Sequence, residues 1–326
     1  MSERSHRYPE AVYTNEPRVS STRPGPQYQP IEDVEDLERY FFGGYHPLQL
    51  GDQLSDSRYA LIDKLGSGGY STIWLARDLR SAKYVAVKVI AADASSSARE
   101  ATLIRYLGSS PAGPGREIVP PLMDEFCVSG PNGEHRCIVT FPPFPRMSLF
   151  DAKEASKFGI FQPKVAQSII AQLIRGVSVF HTQSIVHGDL HLGNVLVKSP
   201  KPIDNLSTSE LYERFGDPES EAVVRIDGKS LSSGVPSQLV LYEERIVLSD
   251  FDESLKPREE PRYSSKTLPL LQPPEAWFSD EPLSFASDVW TLGCTIWEIF
   301  GQRPLFETFF PMHDRVTMEQ TTRRAI

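Results

Sequence analysis

The amino-acid sequence predicts a two-lobed α+β fold: an antiparallel sheet with one helix, then a mainly helical lobe. Three observations carry that expectation. Strand-like runs rich in Val and Ile crowd the chain just past residue 58, the proline-rich stretch at 141–145 interrupts the pattern, and apolar residues then recur at helical spacing. A chain of 326 residues is long enough for two such lobes.

Residues 1–30 carry Pro9, Pro17, Pro24, Pro26 and Pro30 among Ser, Arg and Glu without apolar periodicity, the composition of a disordered arm. Residues 31–58 mix acids with Tyr40, Phe41, Phe42 and Tyr45. They read either as an extension that docks aromatic rings on a domain surface or as an ordinary linker. The first lobe, 59–141, holds strand-like runs over Tyr59–Lys64, Thr72–Arg77 and Tyr84–Ile90. A helix follows over Ser97–Leu107 with Ala101, Ile104 and Leu107 on one face, then strands over Ile118–Val128 and Arg136–Phe141. Prolines restrict the chain without forming an element, so 141–145 reads as a hinge. In the second lobe, 142–326, Val165, Ile169, Leu173 and Val177 mark a helix with one buried face, and 198–245 is a long insert.

Charge and cysteine usage exclude several classes. Lys and Arg number 34 against 43 Asp and Glu, a net charge of −9, so a broad basic surface for nucleic-acid phosphates is not expected, whereas a basic protein partner is allowed. The three cysteines, Cys127, Cys137 and Cys294, have no C-x-x-C spacing, which argues against a disulfide framework or a zinc site and for a reducing compartment. The start of the chain lacks an apolar leader, and the apolar stretch from Val289 to Phe300 is short and interrupted by Glu298, so neither secretion nor membrane insertion is expected.

Four constellations carry chemistry. The first, Leu65-Gly66-Ser67-Gly68-Gly69-Tyr70-Ser71-Thr72-Ile73, lies between two strands; it is either a plain turn or a glycine-rich hairpin whose bare backbone N–H groups approach phosphates. The second favours the hairpin: Val85-Ala86-Val87-Lys88 ends an apolar strand in a lysine that needs an anionic partner, with Glu100 on the next helix to pair with it. The third is His187-Gly188-Asp189-Leu190-His191-Leu192-Gly193-Asn194. Phosphoryl transfer needs a carboxylate to take a hydroxyl proton and an amide oxygen near a magnesium ion, and Asp189 and Asn194 stand at the spacing of such loops. A zinc pair from His187 and His191 would need a helix that the two glycines disfavour. The fourth ends a strand in Asp250-Phe251-Asp252, with Asp250 as a second magnesium ligand.

These strings resemble the eukaryotic protein kinase superfamily, and the likeness continues in Pro273-Pro274-Glu275 and Ser287-Asp288-Val289-Trp290. The hairpin, with Ser71 where a third glycine would stand, is similar to SR-protein-specific kinases. The stretches 130–137, 203–216 and 285–298 resemble the SRPK-like serine/threonine kinases of filamentous fungi. The resemblance implies ATP and Mg2+ as cofactors, with ATP at residues 65–73, Lys88 and Glu100, metal at Asn194 and Asp250, and catalysis by Asp189 and His191. It implies a protein substrate, of Arg/Ser-rich splicing-factor type, for a monomer acting in cytoplasm, nucleus or both, without direct nucleic-acid or membrane partners.

Several departures from the family pattern stand out. Gly188 replaces an Arg that pairs with a loop phosphate in related kinases, so loop phosphorylation is not expected to be the switch. His191 replaces a Lys, and Asp252 replaces a Gly and could hinder loop closure. The family continues through further helices past the position of Ile326, so the second lobe is expected to lack its last helices and Glu275 its usual Arg. An impaired, binding-only kinase is therefore one alternative. A small-molecule phosphotransferase of the aminoglycoside or choline type, which shares the H-G-D-L-H-x-G-N string but not the two later elements, is another.

Overall fold

The computed structural model describes residues 35–96, 99–111, 113–142, 148–156, 158–198, 202–215, 218 and 245–306. The expected arm, the start of the expected helix at 97–98, most of the proline-rich stretch and most of the insert lie outside them, as do residues 307–326, on which the expectation of a shortened second lobe bears.

The first lobe is a six-stranded antiparallel sheet, built from β1 (Gln53–Leu54), β2 (Tyr59–Gly68), β3 (Ser71–Asp78), β4 (Lys83–Ile90), β5 (Leu122–Gly130) and β6 (Gly133–Thr140) in the order β1-β2-β3-β4-β6-β5. Because side chains alternate across a strand, β4 sends Val85, Val87 and Val89 into one apolar cluster with Leu61 and Val139, and Lys88 to the opposite face. Between β4 and β5 lie a single turn, α1 (Ala92–Ser95), and α2 (Glu100–Gly108), whose Ala101, Ile104 and Leu107 are buried as their spacing requires. The expected strand over Ile118–Val128 begins only at Leu122. Pro120 and Pro121 have no N–H to give a sheet ladder, and Ile118 and Val119 instead enter the core between the lobes.

The second lobe contains α3 (Leu149–Glu154), α4 (Pro163–Thr182), β7 (Val195–Val197), α5 (Thr208–Phe215), β8 (Ile246–Leu248), α6 (Glu275–Phe278) and α7 (Phe285–Phe300). Pro163 opens α4, where a missing N–H costs nothing, and Ile169, Leu173, Val177 and Phe180 form its buried face. Strands β7 and β8 pair antiparallel and bracket the insert. The described part of that insert packs on the sheet: Tyr84 N–H donates to Asp204 Oδ1 (2.9 Å), Tyr84 Oη to Leu206 O (3.1 Å) and Tyr212 Oη to Ile62 O (2.7 Å).

One core cluster runs from Ile90 and Ile104 through α4 to Leu190, Leu248 and Phe251, so the lobes share buried apolar surface behind the cleft. Helix α7 opens with a capping box between Ser284 and Ser287, and its Val289, Trp297 and Phe300 remain more than half exposed. Glu275 accepts a hydrogen bond from Ser287 Oγ at 2.5 Å.

Candidate active site

The upper wall of the cleft gathers around Lys88. Its strand position points the stem inward, and Glu100, the first residue of α2, meets it at 2.6 Å. The loop after β8 adds Asp250 Oδ1 at 3.0 Å and Asp252 Oδ2 at 2.9 Å. Burial alone would lower the Lys88 pKa, but the three carboxylates raise it well above the usual lysine value. Burial, with the two aspartates beside it, pushes Glu100 up to about 7 despite Lys88. Asp250 is lowered to about 2: burial raises it, and Lys88 and a hydrogen bond with Asp252 outweigh that. Asp252 is raised, first by burial and then by Asp250. Asp250 takes a φ of 57°, which Asp tolerates, whereas Asp252 is not among the described residues with positive φ; this loop geometry does not demand glycine at 252. The side chain of Asp252 therefore acts as a third carboxylate on Lys88 rather than as a backbone obstruction.

Phe251, between the two aspartates, is buried against Phe180 (ring centroids 5.6 Å apart) and His187 (5.4 Å), and its N–H lies 3.4 Å from Glu100 Oε1. Its apolar anchorage fixes where the flanking carboxylates can reach.

The lower wall is the loop from His187 to Asn194. Asn194 Nδ2 donates to Asp189 O and to Asp189 Oδ2, both at 3.0 Å, which leaves its Oδ1 as the atom available to a cation. Ser249, next to Asp250, donates from N–H (2.9 Å) and Oγ (3.1 Å) to Asn194 O, tying the lower wall to the upper. His191 Nδ1 accepts from Gly193 N–H at 3.1 Å, so the ring proton sits on Nε2, 3.6 Å from Asp189 Oδ2. Burial would raise the Asp189 pKa, but His191 and the Thr267 hydroxyl beside it hold it below the ordinary carboxylate value. His187 is fully buried, and burial lowers its pKa.

The loop hangs from α7. Asp288 accepts the N–H of His187 at 2.7 Å and of Gly188 at 2.9 Å, and its Oδ2 also meets His181 Nε2 at 3.0 Å. Gly188 has φ +83°, and a Cβ there would lie 2.4 Å from Glu253 O; an arginine cannot be placed without moving that backbone. Nearby, Arg262 and Lys266 are each paired with Glu253 at 2.7 Å, so these bases already have a carboxylate where a loop phosphate would otherwise be needed.

Over the cleft, β2 and β3 close a two-residue turn at Gly69-Tyr70, with Gly68 opposite Ser71, Ser67 opposite Thr72 and Gly66 opposite Ile73. Side chains built at Gly66, Gly68 or Gly69 would enter open space. Leu65 is half-buried against the Leu75 cluster, and Ile73 pairs with Lys88 in register and shares its face. Ser71 and Thr72 are buried, and Thr72 Oγ1 accepts from Trp74 Nε1 at 3.1 Å.

Three carboxylates around one ammonium leave an excess of negative charge, and the oxygens of Glu100, Asp250 and Asp252 lie within 4.8 Å of one another. With Asn194 this is a hard-oxygen donor set of the kind that suits Mg2+.

The sequence profile of the protein kinase domain matches residues 59–324. The chain belongs to the protein kinase family. SRSF protein kinase 3 of Homo sapiens is 34% identical over 171 residues, 51% of this chain and 30% of that protein. A serine/threonine protein kinase of Aspergillus fumigatus is 28% identical over 291 residues, 86% of this chain and 67% of that protein, and protein kinase dsk1 of Schizosaccharomyces pombe is 33% identical over 170 residues, 50% of this chain and 30% of that protein. The aligned part thus spans about a third of the length of two of these kinases. A crystal structure of a kinase domain shares the fold at a TM-score of 0.62 and 19% identity, covering 84% of this chain and 72% of that one. In this kinase domain Lys88 meets Glu100, the pair that the sequence leads one to expect, and also Asp250, while Asp189 meets His191 and Asn194. Asp288 and Thr267 escaped sequence reasoning as parts of the site. The only signal for Asp288 was its place in Ser-Asp-Val-Trp at a helix start, and Thr267 had none.

Proposed function

We propose that the chain is an ATP-dependent serine/threonine protein kinase of SRPK-like type, binding Mg2+-ATP between its lobes and transferring the γ-phosphoryl to a protein Ser or Thr hydroxyl. The observation that carries this reading is the convergence of Lys88, Glu100 and Asp250 from a strand, a helix and a loop, beside the Asp189–Asn194 loop. In this reading Lys88 takes the α/β-phosphates and Glu100 orients it, while the hairpin backbone covers them. Asn194 and Asp250 hold Mg2+, which when bound neutralises phosphate charge. Asp189, kept ionised by His191 and Thr267, accepts the hydroxyl proton; the hydroxyl oxygen bonds to the γ-phosphorus as the bond to the bridging oxygen breaks and ADP leaves.

A basic, Arg/Ser-rich splicing factor is the proposed substrate class, supported by the net charge of −9 and by the likeness to SRSF protein kinase 3. The proposed compartment is cytoplasm, nucleus or both; among the described residues no helix is long and apolar enough to cross a membrane. Loop phosphorylation is not required in this reading, because Glu253 already occupies Arg262 and Lys266.

A second reading, a nucleotide-binding module with weakened transfer, is favoured by the contact of Asp252 with Lys88, which competes with phosphate for the same ammonium. Radiolabelled ATP with Mg2+, offered an Arg-Ser repeat peptide, an aminoglycoside or choline, separates the cases. Label on peptide serine supports the kinase, label on a small molecule overturns it, and nucleotide binding without transfer selects the second reading.

A further inference from the structure

We propose that the segment ahead of the sheet is a working part of the nucleotide site, with Tyr45 a positioning residue that sets the glycine-rich hairpin; the proposal rests on the nucleotide-binding reading above. Gly66, Gly68 and Gly69 place no side chain against any neighbour, so the hairpin is fixed by backbone bonds, such as Ala91 N–H to Tyr70 O at 2.8 Å, and by groups outside it. Tyr45 supplies a hold from outside. Its ring is buried, and its Oη donates to Gly68 O at 2.8 Å. The C=O and the following N–H of a trans peptide point in opposite directions, so fixing Gly68 O on Tyr45 turns the Gly69 N–H away from the segment, where it can serve a phosphate. Arg39 adds a second hold: its guanidinium lies 4.9 Å from the Tyr45 ring centroid and 5.4 Å from that of Tyr70 at the hairpin tip.

The other end of this device is fastened far from the nucleotide. Gly43 N–H donates to Asn132 O at 2.7 Å, and Asn132 Nδ2 donates to Tyr45 O at 2.6 Å, both at the β5–β6 turn. Ala92 N–H donates to Gly44 O at 3.1 Å and Asp93 N–H to Gly43 O at 2.7 Å, both at α1. Tyr45 is therefore held at its backbone by the rigid side of the lobe and grips the hairpin with its hydroxyl. The segment is a strut between the two.

Tyr45→Phe keeps the ring, and with it the packing and the Arg39 contact, and deletes one hydroxyl. The expected result is a rise of about fivefold in KM for ATP with kcat held within about twofold, the loss of one hydrogen bond acting on position rather than chemistry. Hydrogen exchange of the 66–70 amides should quicken in the nucleotide-free protein, with the melting temperature within about 2 °C of wild type. Phe42→Ala, a change at an exposed ring in the same segment, should leave KM and exchange as they are. Unchanged KM and exchange in Tyr45→Phe, an equal effect from Phe42→Ala, or a matching loss of global stability would each overturn the proposal while leaving the kinase reading intact. A wild-type protein that binds no ATP overturns that reading, and the proposal with it.

Discussion

The two walls of the cleft are held by different physics. The upper wall is charge against charge: one ammonium within 2.6 to 3.0 Å of three carboxylates, which can exchange partners when phosphates and a cation arrive. The lower wall is held by directional hydrogen bonds, with Asp288 taking the successive N–H groups of His187 and Gly188. The upper wall is thus built to rearrange with its ligand and the lower wall to stay put.

The largest expected effects compare Lys88→Met with Asp189→Asn. Both should reduce phosphoryl transfer by about a thousandfold. They should differ in everything else: Lys88→Met leaves Glu100 buried beside two aspartates with no cation, weakening ATP binding and lowering stability by about 3 kcal/mol. Asp189→Asn retains an acceptor for Asn194, so ATP binding and thermal melting should stay near wild type. Equal melting and equal ATP affinity in the two variants would erase the distinction between the walls.

Next in size is Asp288→Ala, which orphans the N–H groups of His187 and Gly188 in a buried site. A loss of about 3 kcal/mol is expected in urea unfolding, together with catalysis, and saturating Mg2+-ATP should not restore the loop. A variant that melts like wild type would show that the loop holds its own shape.

Asp189 and Glu100, one from each wall, should also answer pH with opposite signs. Asp189 has a folded pKa below its unfolded one, so its contribution to stability is present above about pH 4 and is lost as pH falls further. Glu100 is raised, so the folded state keeps a proton that the unfolded chain releases, and stability declines as pH rises from about 4.5 towards 7. Asp189→Asn should flatten the acid limb of the melting profile and Glu100→Gln the neutral one, the latter by up to about 3 kcal/mol. A neutral limb unaltered by Glu100→Gln would remove the case for a strained upper wall.

The smallest effect is the most discriminating. Asp252→Gly should raise kcat severalfold, a barrier change of about 1 kcal/mol, by freeing Lys88 from a competitor. Since residue 252 does not need a positive φ, Asp252→Asn should reproduce most of the gain. A gain with Gly alone would return the explanation to backbone freedom.

Much of the site was legible because phosphoryl chemistry demands local strings. The glycine hairpin, Lys88 in its apolar strand, Asp189 five residues before Asn194 and Asp250 before an anchoring Phe251 each carry their proposed roles in adjacent residues. Glu100 was legible one step further, through its place one helical turn before Leu103 and Ile104 on a helix that must pack onto the sheet. The aromatics of the extension show where legibility stops. Tyr45 is buried on the hairpin while Phe41 and Phe42 face solvent, a division that composition does not mark because all three are aromatic. The strand expected from Ile118 failed for a local reason, the proline pair, that was open to sequence reading.

By itself, then, the sequence determined most of the elements and the strings on which the proposed site rests, because periodicity, turns and glycine-rich hairpins are properties of neighbours along the chain. Tertiary structure alone decided which carboxylates share Lys88, which acceptor suspends the catalytic loop and which tyrosine steadies the hairpin. Asp288 lies about a hundred residues from the N–H groups it accepts, Asp252 is 164 from Lys88, and Tyr45 is 23 from Gly68. Hydrogen bonds and ion pairs over such separations are selected by which apolar faces pack together, and that choice belongs to the folded core.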